Sequence, residues 1–139
     1  MLFCLVFLTS IHAQNYEFVG IYIHKTEAEN GTIQHKMVLD EAGTFLFSSF
    51  FSPTERDGKM LAIKSDYGSG KWRVNGDQVF FLVDRNQDFD TDRTLDFSKT
   101  RARLEKPSHQ NSNVKKESVL LVFFDSDIHW LKGHRLIKQ

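Results

Sequence analysis

The sequence predicts an all-β protein, an antiparallel meander that closes into a small barrel of eight to ten strands. Thirteen of its 139 residues are phenylalanine and eight are glycine, and the apolar residues fall in short runs between turn signals. After the first residues, no segment carries the i, i+3, i+4 apolar spacing that a long amphipathic helix needs. A barrel is favoured over a β-sandwich because closure removes the exposed strand edges that template aggregation.

Composition narrows the class of protein further. The chain is 40% hydrophobic and 26% charged, with 18 Lys and Arg against 18 Asp and Glu, which is ordinary for a one-domain soluble protein. Zero net charge offers no basic stripe to neutralise phosphates, so we expect no nucleic-acid partner.

The N-terminal segment has the pattern of a secretory signal. Residues 2–8 (LFCLVFL) are continuously apolar, and a small residue, Ala13, precedes polar Gln14. We therefore predict a signal peptide at 1–13, one barrel domain at 14–139, and a secreted or periplasmic protein. The apolar run is too short to span a bilayer, and cleavage would remove Cys4, the only cysteine. The mature chain should then have no membrane span and no disulfide.

Turn chemistry sets the strand boundaries in chain order. Asn30-Gly31 closes the first hairpin, and the acidic stretch ending at Gly43 closes the second. Turns at 53–58 and 67–70 follow, and Asn75-Gly76 repeats the hairpin signal before a last turn at 125–127. The predicted strands are 16–25, 33–40, 44–51, 59–65, 70–74, 78–84, 93–97, 100–105, 118–124 and 128–138.

Three motifs carry a family resemblance: Gly20–Tyr22 (GIY), Leu39–Phe45 (LDEAGTF) and Gly70–Asp77 (GKWRVNGD). In this order they resemble the small lipocalin-like β-barrel modules of bacterial envelope proteins, including the N-terminal module of copper-resistance outer-membrane lipoproteins. The resemblance implies a periplasmic or secreted barrel. The copper-resistance relatives have a Cys-x-x-Cys motif and a lipid-attachment cysteine, which the mature region lacks, so a copper role does not carry over.

Other candidate sites are weak. The stretch Asp84–Asp92 loosely resembles a calcium loop, but Phe89 stands where that loop needs glycine and Leu95 where it needs the closing glutamate. The five histidines beyond residue 13 show no zinc-ligand spacing, and surface or hydrogen-bonded roles are expected for them. No nucleophile lies in a recognisable catalytic motif. We therefore predict no catalytic residue, no metal and no cofactor.

Two apolar runs, residues 79–83 and 119–124, cannot bury both of their faces inside a barrel. One set of side chains should point outward, where the protein's own loops, a second copy or an envelope partner would cover it. The predicted outward set is Phe80, Leu82, Leu120, Val122 and Phe124.

The favoured function is a non-catalytic binding module that holds a small apolar ligand in the interior or mouth of the barrel. The candidate ligand-lining residues, chosen by alternation, are Tyr22, Phe45, Phe47, Trp72, Phe81 and Phe123. Because small barrels are usually filled by their own side chains, core packing is the alternative role for these six. The alternative functions are a structural or protein-interaction module of the cell envelope and, after that, an enzyme with an unrecognised site.

Overall fold

The computed structural model describes residues 16–53, 63–89, 94–106 and 118–139, and these form a closed antiparallel barrel. Each strand pairs with the next one in the chain, and the last pairs with the first. The strands are β1 (Gly20–Ala28), β2 (Gly31–Leu39), β3 (Thr44–Pro53), β4 (Ile63–Asn75), β5 (Gln78–Leu82), β6 (Arg101–Glu105), β7 (Leu120–Asp125) and β8 (Arg135–Lys138). The predicted all-β barrel is therefore confirmed, with eight strands in the described residues.

One short helix, α1 (Arg85–Asp88), follows β5 and is a single turn long. No helix within the described ranges is long and apolar enough to cross a membrane. The predicted signal peptide at 1–13 lies outside the described residues.

The first hairpin turns one residue earlier than predicted. Ala28 pairs with Gly31, so the two loop residues are Glu29 and Asn30, whereas the sequence pattern had put Asn30-Gly31 in the loop. In the hairpin between β4 and β5, the loop residues are Gly76 and Asp77, and Gly76 takes a φ of 65°. That left-handed conformation is one that glycine adopts without steric cost.

The predicted turn at 67–70 is wrong, because β4 runs straight through it. Its glycines make room instead of turning the chain. A Cβ at Gly68 would lie 2.6 Å from the ring of Phe97, and a Cβ at Gly70 would lie 2.3 Å from the carbonyl oxygen of Leu82. The glycines therefore let the phenylalanine ring and the neighbouring strand approach closely.

Two further predicted strands are shorter than expected or absent. In the described part of the segment 93–97, Thr94 forms an isolated bridge to Tyr67 and not a strand. Phe97 of this segment lies in the core with no exposed surface. In the segment 128–138, residues before Arg135 form a turn. Gly133 closes that turn in a left-handed conformation with a φ of 85°.

The core fills the middle of the barrel with inward-facing side chains from all around the sheet. Five phenylalanine rings contact one another there, with centroid separations of 5.0 to 6.5 Å. Trp72 closes the end nearest the β2–β3 turn, where its indole Nε1 donates to the carbonyl of Asp40 at 3.1 Å. The phenylalanines are Phe45, Phe47, Phe81, Phe97 and Phe123.

Candidate functional site: the imidazole-lined mouth

Three histidines that are distant in the sequence meet on the inner side of the barrel wall. His24 on β1 is directly opposite His35 on β2, and both share a face with the buried residues Tyr22 and Met37. His134, the residue before β8, reaches them from across the closure of the barrel. We call these three residues the imidazole cluster.

The rings of the imidazole cluster are in direct contact. Nδ1 of His35 and Nε2 of His134 are 2.8 Å apart, so one nitrogen donates a hydrogen bond and the other accepts it. The ring of His24 meets that of His134 edge-on, with centroids 4.9 Å apart. Nε2 of His24 forms a further hydrogen bond with Oγ1 of Thr26 at 2.9 Å. The cluster is therefore a connected unit and not three isolated side chains.

The imidazole cluster lies at one end of the barrel. β1 pairs with β8 only at Tyr22 and Ile23, yet β1 continues to Ala28. The wall made by β1 and β2 therefore extends beyond the point where β8 begins. His24 and His35 sit on the inner face of this extension, where His24 is half-buried and His35 is buried.

Trp130 forms a roof over the cluster. Its ring centroid is 4.9 Å from that of His35 and 6.0 Å from that of Phe47. The turn that carries Trp130 is held by buried Leu131 and by a 2.7 Å bond from the amide of Gly133 to the carbonyl of Phe123. Although the turn is fixed, 40% of Trp130 is exposed to solvent. We call Trp130 and the imidazole cluster together the mouth.

The electrostatics of the mouth favour the neutral forms of His35 and His134. Burial, together with the nearby rings of His134 and His24, lowers the pKa of His35 to about 4. Burial and then the proximity of His24 also lower the pKa of His134. At neutral pH the His35 and His134 rings are therefore uncharged, and their nitrogens supply both hydrogen-bond donors and acceptors.

The same nitrogens could in principle bind a metal. Tetrahedral zinc holds two histidine nitrogens roughly 3.3 Å apart, given bonds of about 2.0 to 2.1 Å. The 2.8 Å separation between His35 and His134 instead fits a hydrogen bond with a proton between the rings. In the part of the chain that the structure describes, no group of three or more His, Cys, Asp or Glu could hold a metal ion.

The six residues predicted to line a ligand site are all buried in the core, each with 5% or less of its surface exposed. Four of them belong to the phenylalanine cluster, and of these four Phe47 also contacts the mouth, 6.0 Å from His35. The hydroxyl of Tyr22 donates to the carbonyl of Phe18 at 2.7 Å, and burial raises its pKa. A ligand contact for these residues stays a prediction.

The predicted outward set is divided by the topology. Phe80 and Leu82 are on β5 and the other three residues on β7, with β6 between these two strands. The guanidinium carbons of Arg101 and Arg103 on β6 lie 5.2 and 5.6 Å from the ring of Phe124. The five residues therefore do not form one continuous apolar patch. Leu120 and Phe124 are half-buried and Val122 is buried.

In the acidic stretch Asp84–Asp92, the carboxylates that the structure describes accept hydrogen bonds from nearby backbone amides. The side chain of Asp84 caps α1 by accepting from the backbone two residues later. Asp88 accepts from the backbone of Asp84 at 2.6 Å, and Arg85 pairs with Asp96 at 3.2 Å. Residues 90–93 lie outside the described residues, so the expectation of no calcium site stays a prediction.

Sequence reasoning missed the histidines because of the turn position. A loop at Asn30-Gly31 would pair His24 with Met37, whereas the observed loop one residue earlier pairs His24 with His35. The position of the turn sets the register of a hairpin. A hairpin centred between Glu29 and Asn30 would have revealed this pair, but nothing local in the sequence points to His134.

The fold and the mouth together define the class: a small up-and-down β-barrel with a filled centre and an aromatic, imidazole-lined end. Comparison with protein-family models, with curated proteins and with solved structures found no match. The resemblance to envelope lipocalin-like modules therefore stays a prediction.

Proposed function

We propose that the protein is an exported, non-catalytic binding module that takes a small, largely apolar ligand at the mouth. The observation that carries the proposal is Trp130, a large aromatic side chain held 40% exposed above His35 at a centroid distance of 4.9 Å. Tryptophan offers a rigid apolar surface, and covering that surface with a partner contributes favourably to the free energy of binding.

The chemistry of the mouth suggests a flat or ring-shaped ligand. Trp130 and His35 present ring faces, which favour stacked or edge-on aromatic contacts at this range of separation. The low pKa values of His35 and His134 keep both rings neutral near pH 7, so an apolar ligand would not displace water from a buried charge. The imidazole nitrogens could hydrogen-bond one polar group on the ligand.

The filled centre argues for binding at the end of the barrel. Phe97 lies within 5.2 to 6.5 Å of four other phenylalanine rings, which leaves the middle occupied by the protein's own side chains. Of those rings, Phe47 bridges the core and the mouth, since it contacts His35 and Trp130. Because Trp130 lies over Phe47, a ligand at the mouth would cover the exposed face of Trp130 and would not enter the core.

A fluorescence titration tests this proposal. N-phenyl-1-naphthylamine, a neutral apolar fluorophore, should bind wild-type protein saturably at pH 7 and accept excitation energy from Trp130. Trp130→Ala should weaken binding about tenfold or more, because the loss of one stacking surface and its buried area is worth at least about 1.4 kcal/mol.

Trp72→Phe is the matched control, because Trp72 is buried at the other end of the barrel. It removes the second tryptophan without touching the mouth, so affinity for the probe should be unchanged. Equal affinity in Trp130→Ala and wild type, or no saturable binding, would refute the proposal. Native mass spectrometry of protein purified from its own host would show whether a ligand is already held.

A further inference from the structure

A second candidate site lies on the outside of the barrel, away from the mouth. Phe80 on β5 stands directly between Arg73 on β4 and Arg101 on β6 in the register. Leu82 follows on the same face with 44% of its surface exposed, and Lys99 lies beside these residues. These five residues line a groove of about 440 Å³, a volume typical of small-molecule sites. We call it the outer groove.

The outer groove has more positive charge than its own carboxylate can neutralise. It contains three cationic side chains and one carboxylate, Asp125, and that carboxylate is already held by Arg101 at 2.6 Å. Lys99 has a loose pair with Asp127 at 3.7 Å, in which both side chains are more than 70% exposed. Such exposed pairs contribute little and exchange easily.

Arg73 is the cation best placed for a ligand. Within the described ranges it makes no ion pair, and its guanidinium carbon lies 5.9 Å from the centre of the Phe80 ring. A guanidinium beside an aromatic face is held in place while its N–H groups remain free to bind an anion. Its neighbours Phe80 and Leu82 supply an apolar floor next to that charge.

We propose that the outer groove binds a single-chain amphiphile with an anionic head group. The head would sit between Arg73 and Lys99, and the apolar chain would lie along Phe80 and Leu82. The occupant is a single amphiphile and not a membrane surface, because the apolar side chains form a groove floor between cationic rows and would not protrude into a bilayer. This site is independent of the mouth and of the function proposed for it.

The probe for the outer groove is 11-(dansylamino)undecanoic acid, a fluorescent single-chain carboxylate. Wild-type protein should bind it saturably, with a blue-shifted emission, and its methyl ester should bind about tenfold more weakly. The double variant Arg73→Gln/Lys99→Gln should show a similar loss, since charge-assisted hydrogen bonds of this kind are worth about a factor of ten. Raising the NaCl concentration from about 50 to 500 mM should weaken binding, because salt screens exposed charges.

Matched controls separate this site from the rest of the surface. Arg135→Gln removes an exposed cation outside the groove, and Leu46→Ser removes an aliphatic side chain that is 54% exposed elsewhere. Both should bind the probe as wild type does, whereas Leu82→Ser should bind it several-fold more weakly. Trp72 fluorescence reports whether each variant is folded, and Arg73→Lys, which keeps the charge, should retain part of the affinity.

Three results would overturn the proposal. Absence of saturable binding, or binding that the groove variants do not weaken, would show that the groove is not the site. Loss of binding in Trp130→Ala, but not in the groove variants, would place the fatty-acid probe at the mouth. That result would support the function proposed for the mouth and contradict the proposal for the outer groove. Co-sedimentation with phosphatidylglycerol vesicles that depends on Arg73, without binding of the monomeric probe, would make a membrane the occupant.

Discussion

The stability of the folded barrel should depend on pH through the imidazole cluster. The pKa of His35 is about 4, against 6.5 for an unperturbed imidazole, and the pKa of His134 is shifted in the same direction. Between these values the unfolded chain binds protons that the folded chain does not. The contribution of the cluster to the free energy of unfolding should therefore be complete above pH 6.5, decrease as the pH falls, and level off near pH 4.

The size of this effect follows from the difference between the two pKa values of His35. Each pH unit between them is worth about 1.4 kcal/mol, so burial of neutral His35 contributes about 3 kcal/mol as an upper bound. His134, the hydrogen-bonding partner of His35, is only half-buried. Solvent that reaches His134 screens part of the interaction between the two rings and makes the His35 contribution smaller. We expect the wild type to lose about 2 kcal/mol of unfolding free energy between pH 7 and 4.5.

The window above pH 4.5 isolates the histidines from the acidic groups. Hydrogen bonds from Thr44 hold the pKa of Asp40 below 3.8, and a hydrogen bond and the charge of Arg101 do the same for Asp125. A depressed carboxylate pKa stabilises the fold above the unfolded value and loses that contribution only as the pH falls toward the folded value. The stability loss from these carboxylates therefore begins mainly below the range of the experiment.

Urea unfolding at several pH values, followed by the fluorescence of buried Trp72, measures the effect. His35→Asn keeps an amide nitrogen near the position of Nδ1 but cannot titrate. Between pH 7 and 4.5, the unfolding free energy of this variant should therefore fall by about 2 kcal/mol less than that of wild type. His129→Asn, at an exposed position of the neighbouring turn, should behave as wild type. If His35→Asn loses stability as steeply as wild type does, burial of neutral His35 is not the cause and the reasoning fails.

Three other measurements test separate parts of the structure. Trp72→Ala should cost about 3 to 5 kcal/mol in urea unfolding, because it deletes a large side chain that is 5% exposed and removes one of the two hydrogen bonds that the Asp40 carbonyl accepts; a loss below about 1 kcal/mol would place Trp72 outside the core. Gly43→Ala should cost about 1 to 2 kcal/mol because of its φ of 82°, and since the nearest atom to an added Cβ is 3.7 Å away, a much larger loss would mean a clash and not backbone strain. Intact mass of protein from a bacterial envelope fraction should place the mature start at or near Gln14, and a cytoplasmic product that keeps Met1 would contradict the export prediction.

The sequence alone determined the fold class and much of the strand order. Alternation is a local property, since successive side chains of a strand point to opposite faces. It predicted that Phe81 would be buried and Leu82 outward, and these residues are 1% and 44% exposed. Turn residues likewise predicted the hairpin at Asn75-Gly76, where glycine occupies a left-handed position.

Glycine was a poor predictor of turns where it makes room for groups from distant parts of the chain. Gly68 and Gly70 looked like turn residues, but they lie within β4 and make room for Phe97 and for the backbone of Leu82. The need for that space depends on groups that arrive later in the chain, the Phe97 ring for Gly68 and the Leu82 backbone for Gly70. No local pattern separates a glycine that turns the backbone from one that lets another group approach.

The mouth and the outer groove were decided by the tertiary structure. His35 and His134 are 99 residues apart and meet only because β8 closes the barrel against β1, which no local spacing of histidines can predict. The insertion of β6, with its arginines, between β5 and β7 likewise converted a predicted apolar patch into a cationic groove. Local periodicity determines which way a side chain faces, whereas register and closure determine which side chains it meets.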